Sequence, residues 1–273
     1  MIDAVSLSLG TRQVLYSQQR TAALTNETAN HLATGNKVQS ALDSPSAFYQ
    51  ARSLSNRASD LLAVKDGIGK SLHTVEAASV GLNALSRTVD QLHSIAAGAR
   101  GGSAAERQAA AQLFDKVSQQ LDNISSDNSY AGVNLTGSPS QSLEVTLNEK
   151  GETLTVAGSA SDRSGLGIGI ATTDYSNLAT DADIDAALAA LKSATSTIRA
   201  REQSFSTDVS ILNVREQFSE DLGNTLQVGS DQLVEADLAE ESVNLLALQV
   251  RQKLGNVALN LINEKNNSVA SLF

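Results

Sequence analysis

From Leu54 to Ala96 an apolar residue stands at every seventh position: Leu54, Leu61, Ile68, Val75, Leu82, Val89 and Ala96. Val64, Ala78, Leu85 and Leu92 each follow one of them three residues later. A seven-residue repeat held this long predicts a left-handed supercoiled helix. At 1.5 Å per residue it is about 65 Å long. A compact ball cannot hide such a stripe, so the helix needs partners lying alongside it.

Those partners can be read from the rest of the chain. Residues 1–35 hold no Pro and only Gly10 and Gly35. Leu15, Ala22 and Ala29 repeat every seven, and Leu32 follows, among many Ser, Thr, Gln and Asn. That pattern predicts a helix with a thin, small-residue seam. A break follows over 34–45, where Gly35 suits a helix C-terminus and Ser44-Pro45 a new start. Gly98, Gly101 and Gly102 end the long helix, and Ser103 with Glu106 forms a capping box for the next. Its stripe is Ala110, Leu113, Val117, Leu121 and Ile124, and the short loop predicts an antiparallel hairpin.

Residues 126–183 are rich in Gly, Ser, Asn, Asp and Thr, and alternating runs at 143–147 and 154–156 flank a turn at 148–151. This is a β-hairpin pattern. Helix returns over 183–227, with Ile184, Leu188, Leu191, Ile198, Phe205, Val209 and Leu212 on one face. Glu202 stands where that stripe would continue and leaves the register open there. Gly229 is expected to break the chain before a last helix over 231–270. That helix carries the stripe Val243, Leu246, Val250, Leu254, Val257 and Leu261.

The expected fold is mainly α: an elongated antiparallel helical rod or coiled coil, with paired N- and C-terminal helices and a small β-hairpin insert. Residues 1–40 and 231–273 form a terminal-helix domain in this reading. Residues 41–136 and 184–230 form a helical rod, and 137–183 are its β-rich insert. The rod core is assigned to Leu54, Leu61, Ile68, Val75, Leu82, Val89, Leu113, Val117, Leu121, Phe205, Val209 and Leu212. Two helices with thin seams share little core, so the ends are expected to depend on partners for folding. Their packing positions are Leu7, Leu15, Ala22, Ala29, Leu32, Val243, Leu246, Val250, Leu254, Val257, Leu261, Leu272 and Phe273.

Chemistry finds no foothold. The absence of Cys removes disulfides, Cys-ligated zinc and a thiol nucleophile. A net charge of −10 argues against nucleic acid as a main partner. No run of about 18 apolar residues exists for membrane insertion, and the first twenty residues do not read as a cleaved signal peptide. His31, His73 and His93 sit outside any metal-binding spacing. Gly165-Leu-Gly-Ile-Gly169 lacks the Lys-Ser/Thr of a phosphate loop, and Asp181-Ala-Asp-Ile-Asp185 lacks the Gly and Glu of a calcium loop. No cofactor, no metal and no catalysis are expected.

Several segments do match a known pattern. They are Thr34-Gly35, Lys37, Ser40-Ala41 and Asp43 within 31–45; Lys65-Asp66-Gly67-Ile68; Tyr130-Ala131-Gly132-Val133; Leu233-Val-Glu-Ala-Asp-Leu-Ala-Glu-Glu-Ser242; and the ending Ser271-Leu272-Phe273. Together they resemble bacterial flagellin over about 1–136 and 184–273, and most of all its short alphaproteobacterial type. The resemblance implies a structural subunit that polymerises into the flagellar filament and serves motility. It implies an inner-tube role for the terminal helices, disordered in the monomer, and an outer-tube role for the rod. It further implies export through the flagellar type III apparatus to an extracellular filament. Implied partners are further copies in a homopolymer, hook-associated proteins, the filament cap and a flagellin export chaperone. The alternatives are a hook–filament junction protein and a soluble coiled-coil adaptor or export chaperone.

Overall fold

The computed structural model describes residues 9–270. Among these are five α-helices: α1 (Leu9–Thr34), α2 (Pro45–Gly98), α3 (Ala104–Asp127), α4 (Asp181–Val234) and α5 (Leu238–Ala270). Strands β1 (Leu143–Thr146) and β2 (Thr153–Val156) pair antiparallel, with Leu143 opposite Val156. The chain divides into two compact units, residues 57–225 and residues 1–56 with 226–273.

In the 57–225 unit the seven-residue repeat is the core. Leu61, Ile68, Val75, Leu82, Val89 and Ala96 are buried, as are Leu72, Leu85 and Leu92. Across from them α4 buries Ile184, Ala187, Leu191, Ala194, Ile198, Phe205 and Leu212. The α4 face thus steps by three and four as far as Ile198 and then by seven to Phe205 and Leu212, a coiled-coil spacing. Glu202 marks no register shift. Arg201 shares its level, half-buried, and donates to the Ala160 carbonyl and Ser161 Oγ, both at 2.7 Å. Burial pushes the Arg201 guanidinium below its ordinary pKa, while the Asp162 charge acts the other way.

On α3 the buried face differs from the expected stripe. Leu121 of that stripe is buried, but Leu113 is half exposed, and Ala111, Phe114, Ser118 and Ser125 are buried beside Leu121. Val117 and Val209 are partly buried against this core. Phe114 brings the larger apolar surface and packs edge-on to Tyr175, ring centres 6.3 Å apart. Ser118 and Ser125 tolerate burial because their hydroxyls donate to the carbonyls of Asp115 (2.9 Å) and Thr136 (2.7 Å). The capping box forms: Ser103 Oγ accepts from Glu106 N, and the Glu106 carboxylate accepts from Ser103 N at 2.7 Å.

Polar contacts pin the long connection between β2 and α4 to α3. Asp115 accepts from the backbone of Ala171 and Thr172 and from the Thr172 hydroxyl at 2.6 Å. Asp122 accepts from Arg163 N at 2.7 Å. The hairpin turn is closed by Asn148 Oδ1, which accepts from the amides of Lys150 and Glu152.

Gly229 does not break the chain. Helix α4 runs through it to Val234, and α5 starts at Leu238 rather than 231. A Cβ at Gly229 would lie 3.6 Å from the Leu54 side chain, so the glycine sits in a packed seam. Leu54 itself is only partly buried. The real break is imposed by backbone pairing. Lys37 N and Val38 N donate to the Val234 carbonyl, and Ala236 N donates to the Gly35 carbonyl. The two interruptions, one after α1 and one before α5, are therefore a single structure.

Candidate assembly surface

In the terminal unit, α1 and α5 pack along each other. Their contact is not the stripe that hydrophobicity suggested. On α1 the side facing inward is Thr11, Val14, Gln18, Thr21, Thr25, Thr28 and Leu32, in alternating steps of three and four. On α5 the inward side is Glu241, Leu245, Leu248, Gln252, Gly255, Leu259 and Ile262, again stepping by three and four. The α1 seam is thus mostly threonine.

Threonine works here because its hydroxyl can be satisfied by its own helix. Thr21 Oγ1 donates to the Ser17 carbonyl and Thr25 Oγ1 to the Thr21 carbonyl, each at 2.8 Å. The methyl group is then left to pack. Gln18 adds a cross-helix link: its Nε2 donates to the Gln252 carbonyl at 2.9 Å and to Asn256 Oδ1 at 3.0 Å. Gly255 leaves room for that amide, since a Cβ there would lie 2.3 Å from Gln18 Nε2. Nearer the break, His31 Nδ1 meets Glu241 Oε1 at 2.8 Å. Asp43 closes the turn after α1, accepting from the backbone amides of Gln39 and Ser40 at 3.0 and 2.8 Å. Those two amides, with the Ser40 hydroxyl, hold its carboxyl below the ordinary pKa.

This pairing turns the apolar stripe of α5 outward. Val243, Leu246, Val250, Leu254, Val257 and Leu261 are 49–67% exposed, every one of them. On α1, Leu15 and Ala29 are exposed, while Ala22 and Leu32 are partly buried. Leu7, Leu272 and Phe273 lie outside the described residues. Sequence reasoning missed the threonine seam. Its signal was present in the seven-residue spacing of Thr11, Gln18 and Thr25 and of Val14, Thr21 and Thr28.

An aligned row of six large apolar side chains is unusual on a monomer surface and marks an interaction site. Burying what remains exposed of them is worth roughly 5–10 kcal/mol per copy. Among the described residues no group of His, Cys, Asp or Glu is placed to hold a metal ion. None of the described helices is long and apolar enough to cross a membrane.

Comparisons with known proteins point the same way. The family model for the bacterial flagellin N-terminal helical region matches residues 6–137. Flagellin FljM of Caulobacter vibrioides is 26% identical over 100% of this chain and 99% of its own length. Flagellin FljK of the same organism matches at 26% with the same coverage. A flagellin of Brucella melitensis is 27% identical over 93% of this chain and 94% of that protein.

Proposed function

Because the chain belongs to the bacterial flagellin family, we propose that the outward stripe of α5 is the surface through which it polymerises as a subunit of the flagellar filament. Its role as a filament subunit follows from relatives that match over its full length. Those relatives are flagellins throughout, which sets aside the junction-protein and adaptor alternatives. The proposal about the surface rests on one observation, the exposure of Val243, Leu246, Val250, Leu254, Val257 and Leu261 in a single line.

In this reading segments 1–40 and 231–273 occupy the inner tube. Segments 41–136 and 184–230 supply the outer tube, with 137–183 as its insert. The order of the terminal segments depends on neighbouring copies. The subunit works outside the cell, reached through the flagellar type III route. Besides other copies, its partners are hook-associated proteins, the filament cap and an export chaperone. Its role is structural and needs no cofactor.

Replacing Leu254 or Leu261 with Asp tests the surface. Each puts an unpaired carboxylate into the proposed contact, at a cost of several kcal/mol. The contact is heterologous and repeats at every subunit of an open array. Elongation from wild-type filament seeds, followed by light scattering, is expected to stop. The melting of the 57–225 unit should be unchanged, since neither residue belongs to it. Elongation at the wild-type rate would remove α5's stripe from assembly.

A further inference from the structure

Two arginines of the terminal unit, Arg20 and Arg251, line the space between α1 and α5 and have no salt-bridge partner among the described residues. Between α1 and α5 lie two adjoining hollows that share Leu24 and Arg251: one is lined also by Thr28, Asn244, Ala247 and Leu248, the other by Ser17, Arg20 and Thr21. Their only charged lining groups are the two guanidinium groups. Neither enters a salt bridge within the chain among the described residues. Leu24 beside them is 38% exposed. Together the hollows form a groove in which Leu24, Ala247 and Leu248 lie among the uncharged polar Ser17, Thr21, Thr28 and Asn244, with two cations unpaired among the described residues.

The same unit carries the complementary chemistry elsewhere. At the start of α5, Leu238 is exposed. Glu235 and Glu240 flank it, both exposed and both without a salt bridge among the described residues. Asp237 and Glu241 are already used. Asp237 accepts from the amides of Ala239 and Glu240, and Glu241 meets His31. An apolar side chain flanked by two free carboxylates is complementary in charge to a groove that holds Leu24 and Leu248 and two free guanidinium groups. The match cannot be made within one copy. Glu240 and Arg251 are eleven residues apart on one helix, about 16 Å along its axis.

We propose that the Arg20–Arg251 groove receives residues 235–240 of a second copy, the connection into α5 and its first turn, with Leu238 seated on Leu24 and Leu248 and with Glu235 and Glu240 paired to the two arginines. This rests on the filament reading above and adds to it a register. Donor and acceptor sit at different levels of one helix pair, so each copy can dock its donor into the next and leave its own groove open. Such a head-to-tail contact propagates rather than closing. Guanidinium–carboxylate pairs give it directional specificity that an apolar stripe lacks.

The test uses full-length chains and wild-type filament seeds. One variant carries Arg20→Glu and Arg251→Glu, a second carries Glu235→Arg and Glu240→Arg, and a third carries all four. Each double variant is expected to elongate at least ten-fold more slowly than wild type. The four-fold variant should return to within about three-fold of the wild-type rate, because every pair is restored with its sign exchanged. Circular dichroism of each monomer should match wild type. If a double variant loses helix content, the milder Arg251→Gln and Glu240→Gln replace it, and each should slow elongation with helicity intact. Double variants that elongate at the wild-type rate would overturn the proposal. So would a four-fold variant as slow as the doubles, which would mean that the groove takes some other acidic partner. Failure of wild type itself to elongate would count against the filament reading instead.

Discussion

Single residues separate contacts that can give way from contacts that cannot. A Cβ at Gly158 would stand 1.9 Å from the Gln141 carbonyl oxygen and 2.9 Å from that of Leu135. Both are backbone atoms, and Leu135 O already accepts from Ser159 N at 2.8 Å. Gly158→Ala is expected to cost about 2 kcal/mol, the usual price of overpacking a fixed site. Gly255→Ala meets only the end of the flexible Gln18 side chain. Losing Gln18's hydrogen bonds costs about 1–2 kcal/mol, and the gain in helix propensity is about 1 kcal/mol. That variant should therefore lie within about 1 kcal/mol of wild type. Urea unfolding of both variants checks the contrast. Asp43 makes a prediction in pH. Its carboxyl is held below the ordinary value of 3.8, first by the Gln39 amide and then by Ser40. A folded pKa lower than the unfolded one stabilises above the unfolded value and is lost as pH falls through the folded one. Asp43→Asn should destabilise the terminal unit at pH 7, and the difference from wild type should vanish once the pH is well below 3.8. Unfolding followed at both pH values reads it.

At the scale of elements, periodicity was legible wherever apolar residues alone decide burial. The α2 repeat and the β-hairpin lie where their patterns place them. The pattern failed where polar residues can be buried without loss. On α3, Ser118 and Ser125 bond to backbone and rotate Phe114 inward at the expense of Leu113. Phe114→Ala should cost about 3–5 kcal/mol in the 57–225 unit, from lost burial and the cavity left behind. Leu113→Ala should stay within about 0.5 kcal/mol, as for other surface positions. Equal losses would restore the apolar stripe as the core face. On α1 the same effect is larger, because threonine hydroxyls bonded within the helix make a seam that hydropathy does not register. The end of α4 was illegible for another reason. Glycine reads locally as a break, but the chain leaves the helix only where 36–38 pair with 234–236. Those residues lie about two hundred positions apart in sequence.

Taken as a whole, the molecule spends polar residues on holding its own terminal helices together and leaves its best apolar row unspent. Within the candidate surface, the α5 stripe was legible as a stripe. Its orientation was not, because that depends on which face of α5 the threonine seam claims. The net charge of −10 opposes association of like copies at long range. Buried apolar area must therefore outweigh that repulsion. The chain contains no Cys, so one introduced residue can report on the row without background. The decisive measurement is maleimide labelling of a Val257→Cys chain as monomer and as seeded filament. Val257 is 63% exposed in the isolated chain, and the thiol there should react freely. In the filament its reaction should slow at least ten-fold, while a thiol placed at the exposed Lys150 of the hairpin turn labels the monomer as readily. Equal labelling of position 257 in monomer and filament would show that the stripe stays in solvent after assembly, and would contradict the account.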